Sequence, residues 1–309
     1  MRYEILAALR AAGSGVSGEA LSRELGISRV AVWKQVEELR KLGYRVAASS
    51  RGYRLESVPD LMLPGEFPGW ESRVHHCMAV DSTMRAARTL AREGAEEGTL
   101  VVAETQTGGR GRLQRSWASP PGGIYMTLVL RPRVAPFQAP RLNLMAAVAV
   151  SDSLERLFGI EAGVKWPNDV LVGGRKLCGI LAEMEAECDA VHYVNVGIGL
   201  NANAPVPDVR PPAVSLVELL GATVDRPRLA RDIVEGVLAR LPRLLDASLL
   251  DEWRRRSVTL GHDVFVAVGD ETVRGTAVDV DQSGALLVRQ PDGRVRTVVA
   301  GDCTHGAVA

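Results

Sequence analysis

The chain has 309 residues, 46% hydrophobic and 24% charged, with zero net charge. These are the proportions of a soluble globular protein of about two domains, with room for three, and they exclude disorder or coiled coil along the whole length. The longest uncharged apolar run, residues 144–150, falls far short of the ~20 residues that cross a bilayer, so no membrane span is expected. The N-terminus enters an amphipathic helix without a signal-peptide apolar core, which sets the expectation of a cytoplasmic protein. Cys77, Cys178, Cys188 and Cys303 form no CxxC pair, so neither structural zinc nor a disulfide framework is expected. Charge is uneven. Residues 1–56 hold ten Lys/Arg against six acids, a net of +4, which leaves −4 on the remainder. A basic N-terminal module on a slightly acidic body suggests local contact with nucleic acid.

In chain order, residues 3–12 read as a helix with Ile5, Leu6 and Leu9 on one face. Ser17 caps a second helix and Ser28 a third, which runs to Leu42 before Gly43. Two short strands, 46–49 and 52–55, flank Arg51-Gly52 as a wing. Residues 1–56 are therefore expected to be a winged helix-turn-helix DNA-binding domain, followed by a proline-rich linker over 57–73. Strands are expected at 74–80, 99–104, 124–130, 169–172, 176–183 and 191–197, with helices at 83–93, 139–158, 228–245 and 249–256. This is a mixed central domain, 74–257. The last segment, 258–309, has four short strands split by Gly-Asp, Ser-Gly and Asp-Gly turns, the pattern of a small β-barrel.

On a helical wheel, Val32, Val36 and Leu39 of the third helix point inward, while Val30, Trp33, Lys34, Glu37 and Lys41 point outward. An exposed tryptophan between basic residues suits a recognition helix in the major groove, with Arg29, Val30, Trp33, Lys34 and the wing's Arg51 as the contact set. The alternative is that Trp33 covers a neighbouring domain and the charges are a solvated face. The cap, the turn, the basic face and the Arg-Gly wing occur together, which favours DNA. Residues 105–117 (TQTGGRGRLQRSW) combine three glycines with Arg110, Arg112 and Arg115. Glycines bring backbone close to a ligand, and arginines offer forked donors to carboxylate or phosphate. A second cationic motif, Lys165-Trp166-Pro167-Asn168-Asp169, precedes Arg175-Lys176-Leu177-Cys178-Gly179-Ile180-Leu181. Taken alone, Lys165 and Asp169 are equally well explained as a structural salt bridge or turn. The run Gly197-Ile198-Gly199-Leu200-Asn201 is no dinucleotide fingerprint, because Asn203-Ala204-Pro205 follows and opens no helix. The five histidines form no ligand pattern and no triad.

The set Asp81-Ser82-Thr83, Gln106 with the GRGR of 109–112, Trp117, KWPND at 165–169, RKLxGIL at 175–181 and GxGxN at 197–201 resembles the biotin–protein ligases. With the helix-turn-helix ahead of it, the chain resembles the bifunctional members that also repress biotin operons. The resemblance implies an α+β multidomain fold: a winged helix, a central mixed sheet of the class II synthetase-like ligase type, and an SH3-like barrel at the C-terminus. It implies biotin and ATP as substrates, Mg²⁺, the biotin carboxyl carrier protein of acetyl-CoA carboxylase and operator DNA as partners, and a homodimer when the adenylate is bound. By position, Ser82, Thr83, Met84, Gln106, Arg110, Gly111, Arg112, Lys176, Gly197 and Gly199 match biotin-contacting positions. Arg112, Trp117, Asn168, Asp169, Lys176 and Asn201 match the ATP or adenylate site, with Asp169 toward Mg²⁺ and Arg112 and Lys176 as the catalytic cations. The chain departs from the family at Met84, where members often carry Asn, and at Leu113-Gln114, where some continue Arg-Gly. The implied reaction brings two anions together, biotin's carboxylate and the α-phosphate of ATP, and so needs aimed cations. Two rival readings are a biotin- or adenylate-responsive DNA-binding regulator with weak or no ligase activity and a lipoate-type ligase. The intact motifs oppose the first, and the winged helix and terminal barrel oppose the second.

Overall fold

The computed structural model describes residues 1–187, 190–206 and 212–306. It divides into two compact units, Met1–Ser72 and Arg73–Ala309. In the first, helices α1 (Arg2–Ala12), α2 (Gly18–Leu25) and α3 (Arg29–Lys41) enclose Ile5, Leu6, Leu9, Leu21, Val32, Val36 and Leu39. Ser17 Oγ accepts from the Ala20 N–H at 3.0 Å and Ser28 Oγ from the Ala31 N–H at 3.2 Å, which satisfies one orphan donor at each helix start. Strands β1 (Arg45–Ser49) and β2 (Gly52–Ser57) pair antiparallel as the wing, and Tyr53 also bridges Val16. Gly52 has φ 117°, and a Cβ there would run into the Val16 carbonyl, so only glycine closes this sheet.

The stretch 57–73, expected as a linker, packs onto this unit up to Ser72. Leu63 joins the core, and Met62 and Phe67 are buried. Glu66, in a 3₁₀ turn at Pro64–Glu66, is nearly buried and accepts from the Arg10 guanidinium and from the Tyr44 hydroxyl, each at 2.6 Å. A Cβ on Gly65 would sit 2.7 Å from the Tyr3 ring, so the strap lies hard against α1. Its apolar anchors follow no helical or strand period, and for that reason a periodicity reading passes over them.

The second unit holds a seven-stranded sheet in the order β3-β4-β5-β9-β8-β7-β6. The strands are β3 (Val74–Cys77), β4 (Leu100–Ala103), β5 (Ile124–Leu130), β6 (Gly163–Lys165), β7 (Asp169–Val172), β8 (Arg175–Glu187) and β9 (Ala190–Leu200). Only β3–β4 is parallel. Helix α4 (Thr83–Arg92) lies on one face, with Ala87 and Ala91 packed against Val101, Val129 and Tyr193. The opposite parity, including Cys178, Ile180, Val196 and Ile198, is buried on the side of α5 (Arg141–Phe158) and α7 (Arg226–Arg240). A short α6 (Leu216–Leu220) lies between, and α8 (Ala247–Arg256) leads out of this core.

The terminal strands β10 (Asp263–Val268), β11 (Glu271–Val280), β12 (Leu286–Arg289), β13 (Val295–Val298) and β14 (Asp302–His305) form one antiparallel sheet ordered β13-β12-β11-β10-β14. The expected all-β character is present, with one more strand than the turn signals marked. The sheet is antiparallel throughout, in keeping with the expected SH3-like domain; among the described residues β13 and β14 are its outer strands. Trp166 joins it to the central sheet: its N–H donates to Thr259 Oγ1 at 2.9 Å and its indole to the Gly284 carbonyl at 3.1 Å.

Candidate active site

Alternation along β9 and β8 puts Gly197, Gly199 and Gly179 on the α4 face of the sheet, with Gly179 opposite Gly199. These residues leave a bare backbone floor. The Trp117 indole lies flat across it: a Cβ on Gly199 would be 2.6 Å from the indole Cε2, and one on Gly179 2.9 Å from Cζ3. Met84, in the first turn of α4, covers the neighbouring stretch, its methyl 2.8 Å from where a Gly197 Cβ would stand. The floor thus admits a close-lying ring or thioether but no side chain of its own.

A polar relay borders the floor. Thr127 is fully buried on β5, opposite Gly197, and donates to Thr83 Oγ1 at 2.9 Å. The Thr83 N–H and hydroxyl both donate to Gln106 Oε1, at 2.8 and 3.1 Å. Gln106 Nε2 donates to Ser119 Oγ at 2.9 Å, and Ser119 in turn to the Trp117 carbonyl at 3.1 Å. Buried Ser82 sits at the N-cap of α4 and makes no side-chain cap bond. Glu104, just ahead of Gln106, is clamped by His76 Nε2 and Arg226, both at 2.9 Å, and Arg226 also holds the Gly123 carbonyl. This buried network ties the end of β4 to the start of α7 and fixes where Gln106 begins.

Cations border the other side. Lys176 Nζ is 2.7 Å from Asp169 Oδ1 and 5.4 Å from the Trp117 ring centroid. Asp169 and Lys176 thus form an ion pair inside the site. Trp117 Nε1 is a buried donor with no hydrogen-bond partner, which a polar ligand beside the indole would satisfy. Lys165 stands across the ladder from Asp169.

Residues 109–117 form a narrow hairpin. The Trp117 N–H donates to the Gly109 carbonyl at 2.8 Å and the Gly111 N–H to the Arg115 carbonyl at 2.7 Å. Arg112 donates to the Gly301 carbonyl at 3.0 Å, and burial lowers its pKa while Asp302 and Asp169 pull the other way. Arg115 pairs with Asp302 through both carboxylate oxygens.

Sequence comparisons agree with this geometry. Residues 77–201 match the biotin/lipoate A/B protein ligase family, residues 2–54 an HTH domain, and residues 259–306 the biotin protein ligase C-terminal domain. The bifunctional ligase/repressor BirA of Bacillus spizizenii is 37% identical over 99% of both chains. The chain belongs to the biotin–protein ligase family, in its bifunctional ligase/repressor form. The biotin–[acetyl-CoA-carboxylase] ligase of Mycobacterium tuberculosis is 39% identical over 79% of this chain and 92% of its own. Among solved structures, the Aquifex aeolicus biotin protein ligase in complex with biotin and ATP superposes with TM-score 0.64 at 27% identity, covering 75% of this chain and 98% of that one.

In this ligase, Ser82, Thr83, Met84, Gln106, Trp117, Asp169, Lys176, Gly197 and Gly199 come together on the α4 face. Other expected residues have backbone duties. Asn168 Nδ2 donates to the Ile180 carbonyl at 2.6 Å, and Asn201 Nδ2 to the Val214 carbonyl at 3.2 Å. Arg110 is exposed and bonds Gln114 within the hairpin. Arg115 was marked only as one of the three loop arginines, and Thr127, Ser119, Gly301 and Asp302 were not singled out in the sequence. Thr127 had one signal, a hydroxyl inside an otherwise apolar strand; the other three depend on contacts distant in sequence. Cys178 is buried and its thiol pushed well up by burial, as suits a core residue, while Cys188 lies outside the described residues. Among the described residues no group of three or more His, Cys, Asp or Glu could hold a metal, and no helix is long and apolar enough to cross a membrane. In the N-terminal unit, Val30 and Trp33 are 63% and 51% exposed, and Arg29, Lys34 and Arg51 are exposed beside them on α3 and at the wing turn.

Proposed function

We propose that this chain activates biotin with ATP to biotinoyl-5′-AMP and transfers the biotinoyl group to a lysine of a biotin carboxyl carrier protein, in the cytoplasm. The single observation that carries this reading is the juxtaposition on one sheet face of a polar cradle (Ser82, Thr83, Gln106), a glycine floor under Trp117, and the Lys176–Asp169 pair. The cradle suits the ureido head of biotin, the side-chain-free backbone beside Met84 and Trp117 its fused-ring body, and Lys176 and Arg112 the carboxylate end where it meets phosphate. A carboxylate oxygen bonds to the α-phosphorus, and the bond to the bridging oxygen breaks, its electron pair leaving with pyrophosphate. Lys176 and Arg112 offset charge that builds on the α-phosphate in this step. The carrier's amine then attacks the acyl carbon and AMP departs. The hairpin and Trp117 exclude water, which protects the mixed anhydride from hydrolysis. Magnesium, when bound, would supply further charge to the phosphates; the Asp169 carboxylate is the group that would hold it, since this ion is commonly bound by one or two carboxylates plus phosphate and water.

The exposed set Arg29, Val30, Trp33, Lys34 and Arg51 supports binding of biotin operator DNA, with the adenylate as corepressor and a homodimer as the binding form. Dimer formation has a surface to use: among the described residues, β8 beyond Ala182 is paired only by β9, and Met184 is exposed there.

The test is incubation with ATP, Mg²⁺ and either biotin or lipoate, with detection of the acyl-adenylate by mass spectrometry. Biotinoyl-AMP forms with biotin. Absence of any adenylate, or preference for lipoate, contradicts the reading. A gel shift on the upstream regions of biotin genes, with and without biotin and ATP, tests repression.

A further inference from the structure

The arginine hairpin has a firm base and a tip with little local support. The base is closed by the Gly109–Trp117 and Gly111–Arg115 backbone bonds. The tip turns through Leu113 and Gln114, with φ 53° and 59°, a left-handed conformation that residues with a Cβ adopt reluctantly. Such a turn persists where its surroundings over-determine it. Local support is slight: Arg110 donates to Gln114 Oε1 at 3.2 Å, while Leu113 is 68% exposed and three glycines precede it.

The support comes from almost 190 residues away. The chain entering β14 meets the tip at two points, the Gly301 carbonyl on Arg112 and the carboxylate of Asp302, the first residue of β14, on Arg115. The two contacts are chemically unequal. Arg115 has its charge matched by a fork-to-fork pair with Asp302. Arg112 gives one N–H to a neutral carbonyl, and no carboxylate bonds it among the described residues. One arginine is therefore tied down so that the other is aimed and still carries charge for a phosphate.

We propose that Asp302 is a positioning residue of the ligase: by pairing with Arg115 it holds the hairpin tip in place, keeps Arg112 directed at the adenylate phosphate, and slows release of the adenylate. The C-terminal sheet thereby governs retention of the intermediate from outside the catalytic motifs. This rests on the reading that the hairpin covers the adenylate. The pair is partly exposed, with side chains 61% and 37% accessible, so its effect is modest.

The test uses the full chain. Biotinoyl-AMP is formed in place from biotin and ATP, free ligand is removed, and release is followed after a chase. Asp302→Asn and Arg115→Gln each speed release by about two- to fivefold with little change in melting temperature. Asp302→Glu restores the parent rate, and the swapped pair Arg115→Asp with Asp302→Arg restores most of it. Raised salt shrinks the difference between parent and Asp302→Asn. Arg112→Gly serves as the control for the hairpin itself. Fast release from Arg112→Gly with parent-like release from Asp302→Asn overturns the role of Asp302 and leaves the covering hairpin standing. A swapped pair as leaky as either single variant also overturns it. Parent-like release from Arg112→Gly removes the covering hairpin, and the role of Asp302 with it.

Discussion

The candidate DNA-contact cations of the N-terminal unit and four arginines of the ligase unit are held in opposite ways. Arg29, Lys34 and Arg51 stand in solvent and make no ion pair among the described residues. In the ligase unit, Arg112, Arg115, Arg141 and Arg226 are each bound to a carbonyl or carboxylate. A DNA backbone presents a continuous row of phosphates, so hydrated, mobile side chains suffice and register comes from the helix that carries them. A single α-phosphate passing through a transition state gains most from cations already oriented, because they need no reorganisation when charge develops. Loose cations suit affinity for an extended polyanion, and tied ones suit one reacting atom.

Separating the two regions is the most drastic way to break this contrast. Removal of residues 1–72 abolishes operator binding in a gel shift and leaves a soluble fragment that still forms biotinoyl-AMP. A cut at residue 60 leaves Met62, Leu63 and Phe67 without the N-terminal core and gives a fragment more prone to aggregation, measured by light scattering. Next in size is Lys176→Ala. Loss of an aimed charge slows adenylate formation in single-turnover kinetics by about 10²–10³-fold while biotin binding changes far less. Near-parent adenylation would remove Lys176 from the chemistry. Gly199→Ala sharpens the floor argument. The new methyl group displaces Trp117, so tryptophan fluorescence shifts and the biotin dissociation constant rises about tenfold, equivalent to ~1.4 kcal/mol. The smallest effect belongs to a loose cation: Lys34→Ala weakens DNA binding about equally on all sequences and lowers the salt slope of log K by about one.

The two regions also differed in how much of them the sequence revealed. The winged helix was readable almost residue by residue, because its caps at Ser17 and Ser28 and its buried positions Val32, Val36 and Leu39 are local and periodic. In the ligase unit the motif residues Thr83, Gln106, Lys176 and Asp169 were marked, but their partners were not. Ser119 and Thr127 complete the relay through contacts 13 and 44 residues away. Asp302 reaches Arg115 across 187 residues. The strap at 61–67 looked like linker because a buried carboxylate and irregularly spaced apolar anchors have no period to read.

The central claim is that tied arginines hold the activated intermediate in place. It is tested most directly by measuring adenylate formation and adenylate release side by side in Arg112→Gly. Loss of a charge-assisted hydrogen bond of about 1.5–3 kcal/mol raises the dissociation constant by roughly one to two decades. The account predicts that most of this appears as faster release, with labelling of bystander proteins by free biotinoyl-AMP, while formation continues on Lys176. An unchanged release rate with a large fall in formation would contradict it and confine Arg112 to the transition state or the departing pyrophosphate, with no part in retention.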